Sequence, residues 1–120
     1  MISFKTERIE NEWNSGLMNK KLKDIVNMAG LYMKYVNGVG LILTEIFRYQ
    51  DEQESIYGAT TRKRSVHQYW RGVDIRVNNM TDEQANDLLS FLNKVPYGLK
   101  HRTATLHDVG FGKHLHCQSK

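Results

Sequence analysis

His67 and Asp74 stand seven positions apart in Ser65-Val66-His67-Gln68-Tyr69-Trp70-Arg71-Gly72-Val73-Asp74-Ile75, and His114-Leu115-His116 follows forty residues after Asp74. One carboxylate and three imidazoles are the donor types that zinc takes in hydrolytic enzymes, where three protein ligands leave a fourth position open. A bound zinc lowers the pKa of its water toward about 7, which makes a hydroxide nucleophile available at neutral pH. No other part of the chain suggests a specific chemistry. The functional reading therefore depends on whether the two segments meet in space.

The elements that would bring them together can be read from periodicity. Val73, Ile75 and Val77 alternate with Asp74, Arg76 and Asn78, the pattern of a half-buried strand with Asp74 on its other face. An odd separation would put His67 and Asp74 on opposite faces of one extended strand. They converge only if the chain turns between them, and Gly72 permits that turn. Thr103 to His107 and His114 to Gln118 read as a hairpin around Val109-Gly110-Phe111-Gly112. In its second strand Leu115 and Cys117 share one face, and His114 and His116 share the other. His116 is the natural third ligand beside His67 and Asp74. His114 lies about 7 Å along the strand, placed to handle a proton. Asp108 could support an imidazole or help form the turn. His101 and His107 are read as ordinary surface or structural histidines.

Upstream, Met18, Leu22, Ile25, Val26, Ala29, Tyr32, Met33 and Val36 recur at three- and four-residue steps over 17–36, an amphipathic helix with one buried stripe. Asn14 or Ser15 would cap it after a polar stretch, Asn11 to Gly16, that reads as a loop or a helix lead-in, and Asn37-Gly38 would end it. Val39 to Phe47 reads as a buried central strand, in which Glu45 needs a partner or a solvent-facing position. Asp51 to Tyr57 is expected as a short helix and Gly58 to Ser65 as a loop. Thr81-Asp82-Glu83-Gln84 is a capping box opening a helix to about Lys94, with Ala85, Leu88, Leu89 and Leu92 inward and Pro96 as its stop. The order of helix, strand, strand, helix and hairpin indicates an α+β domain with helices packed on a mostly antiparallel sheet.

Composition sets outer bounds. The 120 residues, 40% hydrophobic and 25% charged, fit one globular domain over 1–120. Cys117 is the only cysteine, so no internal disulfide forms. The net charge of +4, from 17 Lys and Arg against 13 Asp and Glu, favours an anionic partner without naming one. Arg62-Lys63-Arg64 reads as a solvated loop, or else as a lip that attracts an acidic substrate. The N-terminal residues show no apolar h-region or cleavage site, and no stretch approaches the roughly 18 apolar residues of a membrane span. Cytoplasmic synthesis without membrane insertion is the expectation, and a monomer.

Ser65-x-His67 with Val73-Asp74-Ile75 resembles the Ser-x-His-x-x-Gly-x-Ala-x-Asp motif of the zinc D-Ala-D-Ala metallopeptidases, which group structurally with lysostaphin-type enzymes and the hedgehog signalling domain. His114-x-His116 resembles the His-x-His motif of that group. The resemblance implies one Zn2+ held by His67, Asp74 and His116, with His114 as a catalytic group. Leu41-Ile42-Leu43-Thr44-Glu45-Ile46-Phe47-Arg48 is similar to the strand ending in Ser-Gly-Tyr-Arg of such peptidases, which implies that Arg48 binds substrate or stabilises developing charge. Gln53 and Tyr57 follow at family-like spacing, and Ser65, Gln53 and Trp70 join Arg48 as expected substrate contacts. The similarity covers roughly 39–118 and implies a hedgehog/DD-peptidase-like fold.

Three positions depart from the pattern. Trp70 stands where the motif has Gly, Gly72 where it has Ala, and Lys113 where many members carry an acid three residues before the last ligand. An indole beside the site would reshape the cleft, and the proton-handling role falls to His114 or is absent.

Small members of this group often serve bacteriophages as endolysins that cut the peptide part of peptidoglycan, so the expected substrate is a cell-wall peptide, met after release from the cell. The alternative is a non-catalytic zinc-binding domain of the same fold, a phage structural part or a module that binds wall or host protein. Nucleic-acid binding rests only on the net charge and the 62–64 run, without a helix-turn-helix signal, a Cys-rich finger or a stacking motif.

Overall fold

The computed structural model describes residues 1–46, 70, 72–94, 104–108 and 113–118, with the backbone alone for His107, Asp108 and Lys113. Along the chain run β1 (Ile2–Phe4), α1 (Glu7–Asn14), α2 (Lys20–Asn37), β2 (Leu41–Glu45), β3 (Gly72–Arg76), α3 (Asp82–Lys94), β4 (Ala104–Asp108) and β5 (Lys113–Gln118). Their five strands form one mixed sheet in the order β1-β2-β3-β5-β4. The expected short helix 51–57, the loop 58–65, the stop at Pro96 and the turn 109–112 lie outside the described residues.

The α+β class holds, with two corrections at the N-terminal end. The sheet is mixed because β1 joins β2 in parallel, Ile2 opposite Leu41 and Phe4 opposite Leu43, while the other three pairings are antiparallel. Three residues carry too little periodicity to announce a strand. What holds β1 is tertiary: Leu41 N–H donates to Met1 O at 2.8 Å and Lys5 N–H to Leu43 O at 2.9 Å. Gly30 of α2 makes room for it, since a Cβ there would stand 3.1 Å from Ile2 Cγ1.

The polar stretch expected as a loop or a lead-in is also partly helical, because 11–14 belong to α1. Thr6 caps that helix through Ile9 N–H, and Ile9 and Trp13, one turn apart, are buried. Two inward side chains at i and i+4 suffice once Phe4 lies against Trp13, ring centroids 6.3 Å apart. Ser15 ends α1 instead of starting α2. The cap of α2 is Asn19, whose Oδ1 accepts Leu22 N–H at 3.0 Å and so satisfies a donor that the first turn leaves open.

Val36, expected in the buried stripe of α2, is exposed instead; elsewhere the local signals are followed. α2 ends on Gly38 in the left-handed conformation, φ 67°, which glycine adopts without steric cost. At Thr81 both bonds of the capping box form: Gln84 N–H donates to Thr81 Oγ1 at 3.1 Å and Thr81 N–H to Gln84 Oε1 at 3.0 Å.

One cluster of buried side chains unites the layers: Leu22, Val26, Ala29 and Met33 of α2, Ala85, Leu88 and Leu92 of α3, and Leu41, Leu43, Val73, Ile75, Leu115 and Cys117 of the sheet. Full burial of one such Leu stabilises by roughly 1.5–3 kcal/mol, so alternate strand residues are committed to the helix side. Their neighbours Asp74, His114 and His116 are thereby turned to the other side. At the helix layer's edge Asp87 accepts the Tyr32 hydroxyl at 2.8 Å and Asn37 Nδ2 at 2.9 Å, clipping α3 to α2. Those two donors hold the Asp87 carboxyl below its ordinary range. No helix among the described residues is long and apolar enough to cross a membrane.

Candidate functional site

β3 is the middle strand of the five, so Asp74 has a hydrogen-bonded neighbour strand on both sides. On one side the register sets it opposite His116, and Arg76 opposite His114. Directly opposed residues of antiparallel strands have Cβ atoms about 4.5–5.5 Å apart, within reach of a carboxylate and an imidazole. His116 Nδ1 lies 2.9 Å from Asp74 Oδ1. His114, one pleat repeat away, reaches the same carboxylate from the diagonal, with Nε2 3.5 Å from Oδ2. The two histidines and the carboxylate read from the sequence are thus brought together.

Asp74 is 4% exposed, the one buried polar or charged residue among the described residues. A carboxylate removed from water needs compensating donors; His116 supplies one at 2.9 Å, and His114 stands near at 3.5 Å. An ionised Asp74 only accepts, so His116 Nδ1 carries the proton of that bond. Its other nitrogen, Nε2, lies 3.1 Å from the Gln118 amide oxygen. A half-turn of that amide exchanges O for NH2 and suits a neutral ring. A carboxylate bonded to one ring nitrogen fixes the tautomer and orientation of the ring.

The donor chemistry can be set against a zinc ion. Two ligands of a tetrahedral ion with arms of about 2.0–2.1 Å stand roughly 3.3 Å apart. Asp74 Oδ1 and His116 Nδ1, the two expected ligands among the described residues, stand closer than that, at 2.9 Å, and are joined by a hydrogen bond, so the two atoms would have to part to take an ion between them. Among the described residues, no group of three or more His, Cys, Asp and Glu stands ready to hold a metal. The expected third ligand, His67, lies outside the described residues, as do Arg48, Ser65 and Gln53.

Trp70 is described, and its backbone is unusual: φ is 59°, the one positive value at a non-glycine position among the described residues. A bulky residue in this region is strained, while glycine is not. This is the position at which the resembled motif has Gly. The indole is half-buried against the core cluster, and Trp70 O accepts the backbone N–H of Asn19 at 3.0 Å. The turn before β3 is so tied to the start of α2.

Of two further residues of this face, Gln118 is not singled out in the sequence, and Glu45 stands there between a partner and a solvent-facing position. Gln118 continues the alternation of His114 and His116, so a period of two would have found it. Glu45 could not be found that way. Leu41 and Leu43 point inward, and simple alternation would send Glu45 inward as well. A register shift between Leu43 and Glu45 instead sets Glu45 opposite Asp74, and Ile46 takes the buried place. A bulge that adds one residue turns the following side chain to the other face, which is how β2 accommodates a glutamate in an apolar run.

Cys117 faces the core, fully buried. Burial first, and the Asp74 charge second, push its thiol up to about 12, so it takes no part as a thiolate. Comparison with protein-family models gives no match to this chain, and comparison with curated proteins gives none either.

Proposed function

We propose that the chain is a zinc-dependent peptidase that hydrolyses an amide bond in the peptide part of bacterial peptidoglycan, with a hedgehog/DD-peptidase-like fold. The observation that carries the reading is the Asp74 carboxylate held between His116 and His114 on the face of the sheet turned away from the helices. His67, Asp74 and His116 would hold one Zn2+, with Asp74 and His116 already adjacent across two strands. Zinc bound there would acidify a water and polarise the scissile carbonyl.

The chain's own residues have separable tasks. His114 lies beside the same carboxylate without being one of the three ligands, and so serves to hold a proton and pass it to the leaving amine nitrogen. Arg48 would face the negative charge that develops on the carbonyl oxygen. Trp70, fixed at the entry to β3, would form one wall for the peptide, with Ser65 and Gln53 as polar contacts. No acid stands at Lys113 to share the proton-handling role, so His114 bears it.

The test has two parts. Metal analysis should find close to one zinc per chain in the wild type and a large loss in His116→Ala. Mass spectrometry of digested wall fragments should then show a newly freed amine and carboxylate at one amide bond, absent with zinc-loaded His114→Ala. Wild-type protein that takes up no zinc would end the proposal.

A second reading is a zinc-binding module of the same fold without turnover, serving as a phage structural or wall-binding part. Lys113 and Trp70, two departures from the resembled motif, favour it. It predicts full zinc occupancy with wall fragments left intact.

A further inference from the structure

α2 has two apolar faces, and the core uses only one. Leu22, Ile25, Val26, Ala29, Gly30 and Met33 are buried. On the opposite side Asp24, Met28, Leu31 and Tyr35 are exposed, Met28 at 46%, Leu31 at 45% and Tyr35 at 80%. Their steps of four, three and four residues are the spacing of a coiled-coil seam, where an ordinary surface helix carries polar residues. Single exposed apolar residues are unremarkable, but an aligned row on one helix marks a contact surface.

We infer that this row is a homodimer interface, in which α2 packs antiparallel on α2 of a second copy about a twofold axis between Met28 and Leu31. The occupant follows from self-complementarity. An axis at that point sets Met28 against Leu31 of the other copy, and Asp24 against Tyr35, twice over by symmetry. The central layers are apolar, and each outer layer pairs a carboxylate acceptor with a phenol donor. The antiparallel sense also brings Lys20, exposed at the N-terminal end of α2, toward the partner helix's C-terminal end, where the helix dipole is negative and the last turn carries a single basic side chain, Lys34. A parallel pairing would oppose Asp24 to Asp24 and the like ends of the two dipoles. The seam spans about 16 Å of helix at 1.5 Å per residue, a small contact of the weak, transient kind. It lies on the helix layer, so it does not touch the Asp74 face of either copy, and it holds whether or not that face binds zinc.

Sedimentation across the micromolar range should show monomer converting to dimer. Leu31→Glu and Met28→Glu, at exposed positions, should abolish the dimer at all concentrations while keeping the wild-type circular dichroism. Orientation is read from Asp24→Cys/Tyr35→Cys under mild oxidation, with the native Cys117 buried out of reach. Peptide mapping should find cross-links between 24 and 35 of different chains. A monomer at every concentration, a dimer indifferent to both Glu variants, or cross-links joining 24 to 24 would each overturn the inference.

Discussion

At the scale of single residues, the backbone of Trp70 and the thiol of Cys117 make claims that do not depend on the function. Trp70→Gly and Trp70→Ala remove the same indole and differ only in what the backbone at φ 59° tolerates. The Gly variant should be the more stable by about 1 kcal/mol in urea unfolding. Equal stabilities would show that the position is not left-handed. Cys117 should resist thiol reagents in the folded protein at neutral pH and react fully in urea. Its folded pKa, about 12, is raised above the ordinary 9.0. The neutral thiol therefore favours the folded state at and below neutral pH, and that contribution is lost as pH rises from about 9 toward 12. Rapid native labelling at pH 7 would contradict the burial.

Capping and strand register act at the scale of elements. The Thr81–Gln84 box satisfies donors at the start of α3 that have no partner within the helix. Thr81→Ala should cost about 1 kcal/mol, and thermal unfolding is the check; Thr81→Ser, which keeps the acceptor, should cost much less. Sequence announced this cap because both partners are local, three residues apart. The same locality made α3, the end of α2 at Gly38 and the hairpin strands legible. The cap of α2 was misread because Ser15, Asn14 and Asn19 are all competent, and only the buried contacts of Trp13 and Met18 decide which one stands at the helix start. Likewise β1 and the bulge at Glu45 have no local signature. One needs a neighbouring strand to pair with, and the other needs a register fixed by the partner strand.

For the whole molecule, the helix layer and the polar face of the sheet divide the labour. Helices and alternate strand residues build the core, and the face turned away from it gathers Asp74, His114, His116 and Gln118. That separation predicts how damage will distribute. Under the proposed function His114→Ala should remove hydrolysis at a smaller cost in stability than Leu115→Ala, one residue along but fully buried, which should cost about 2–5 kcal/mol.

From the chain alone came the residue types able to bind a metal and their allocation to strand faces, because alternation is a property of consecutive residues. So did the two longer helices and the α+β class. Only the tertiary structure decided that β3 and β5 are neighbours in the register that opposes Asp74 to His116, since pairing between segments forty residues apart is chosen by the shared core and not by either segment. It also decided that Glu45 turns outward, that the tripeptide Ile2–Phe4 is a strand, and that the position of Trp70 takes a backbone conformation suited to glycine.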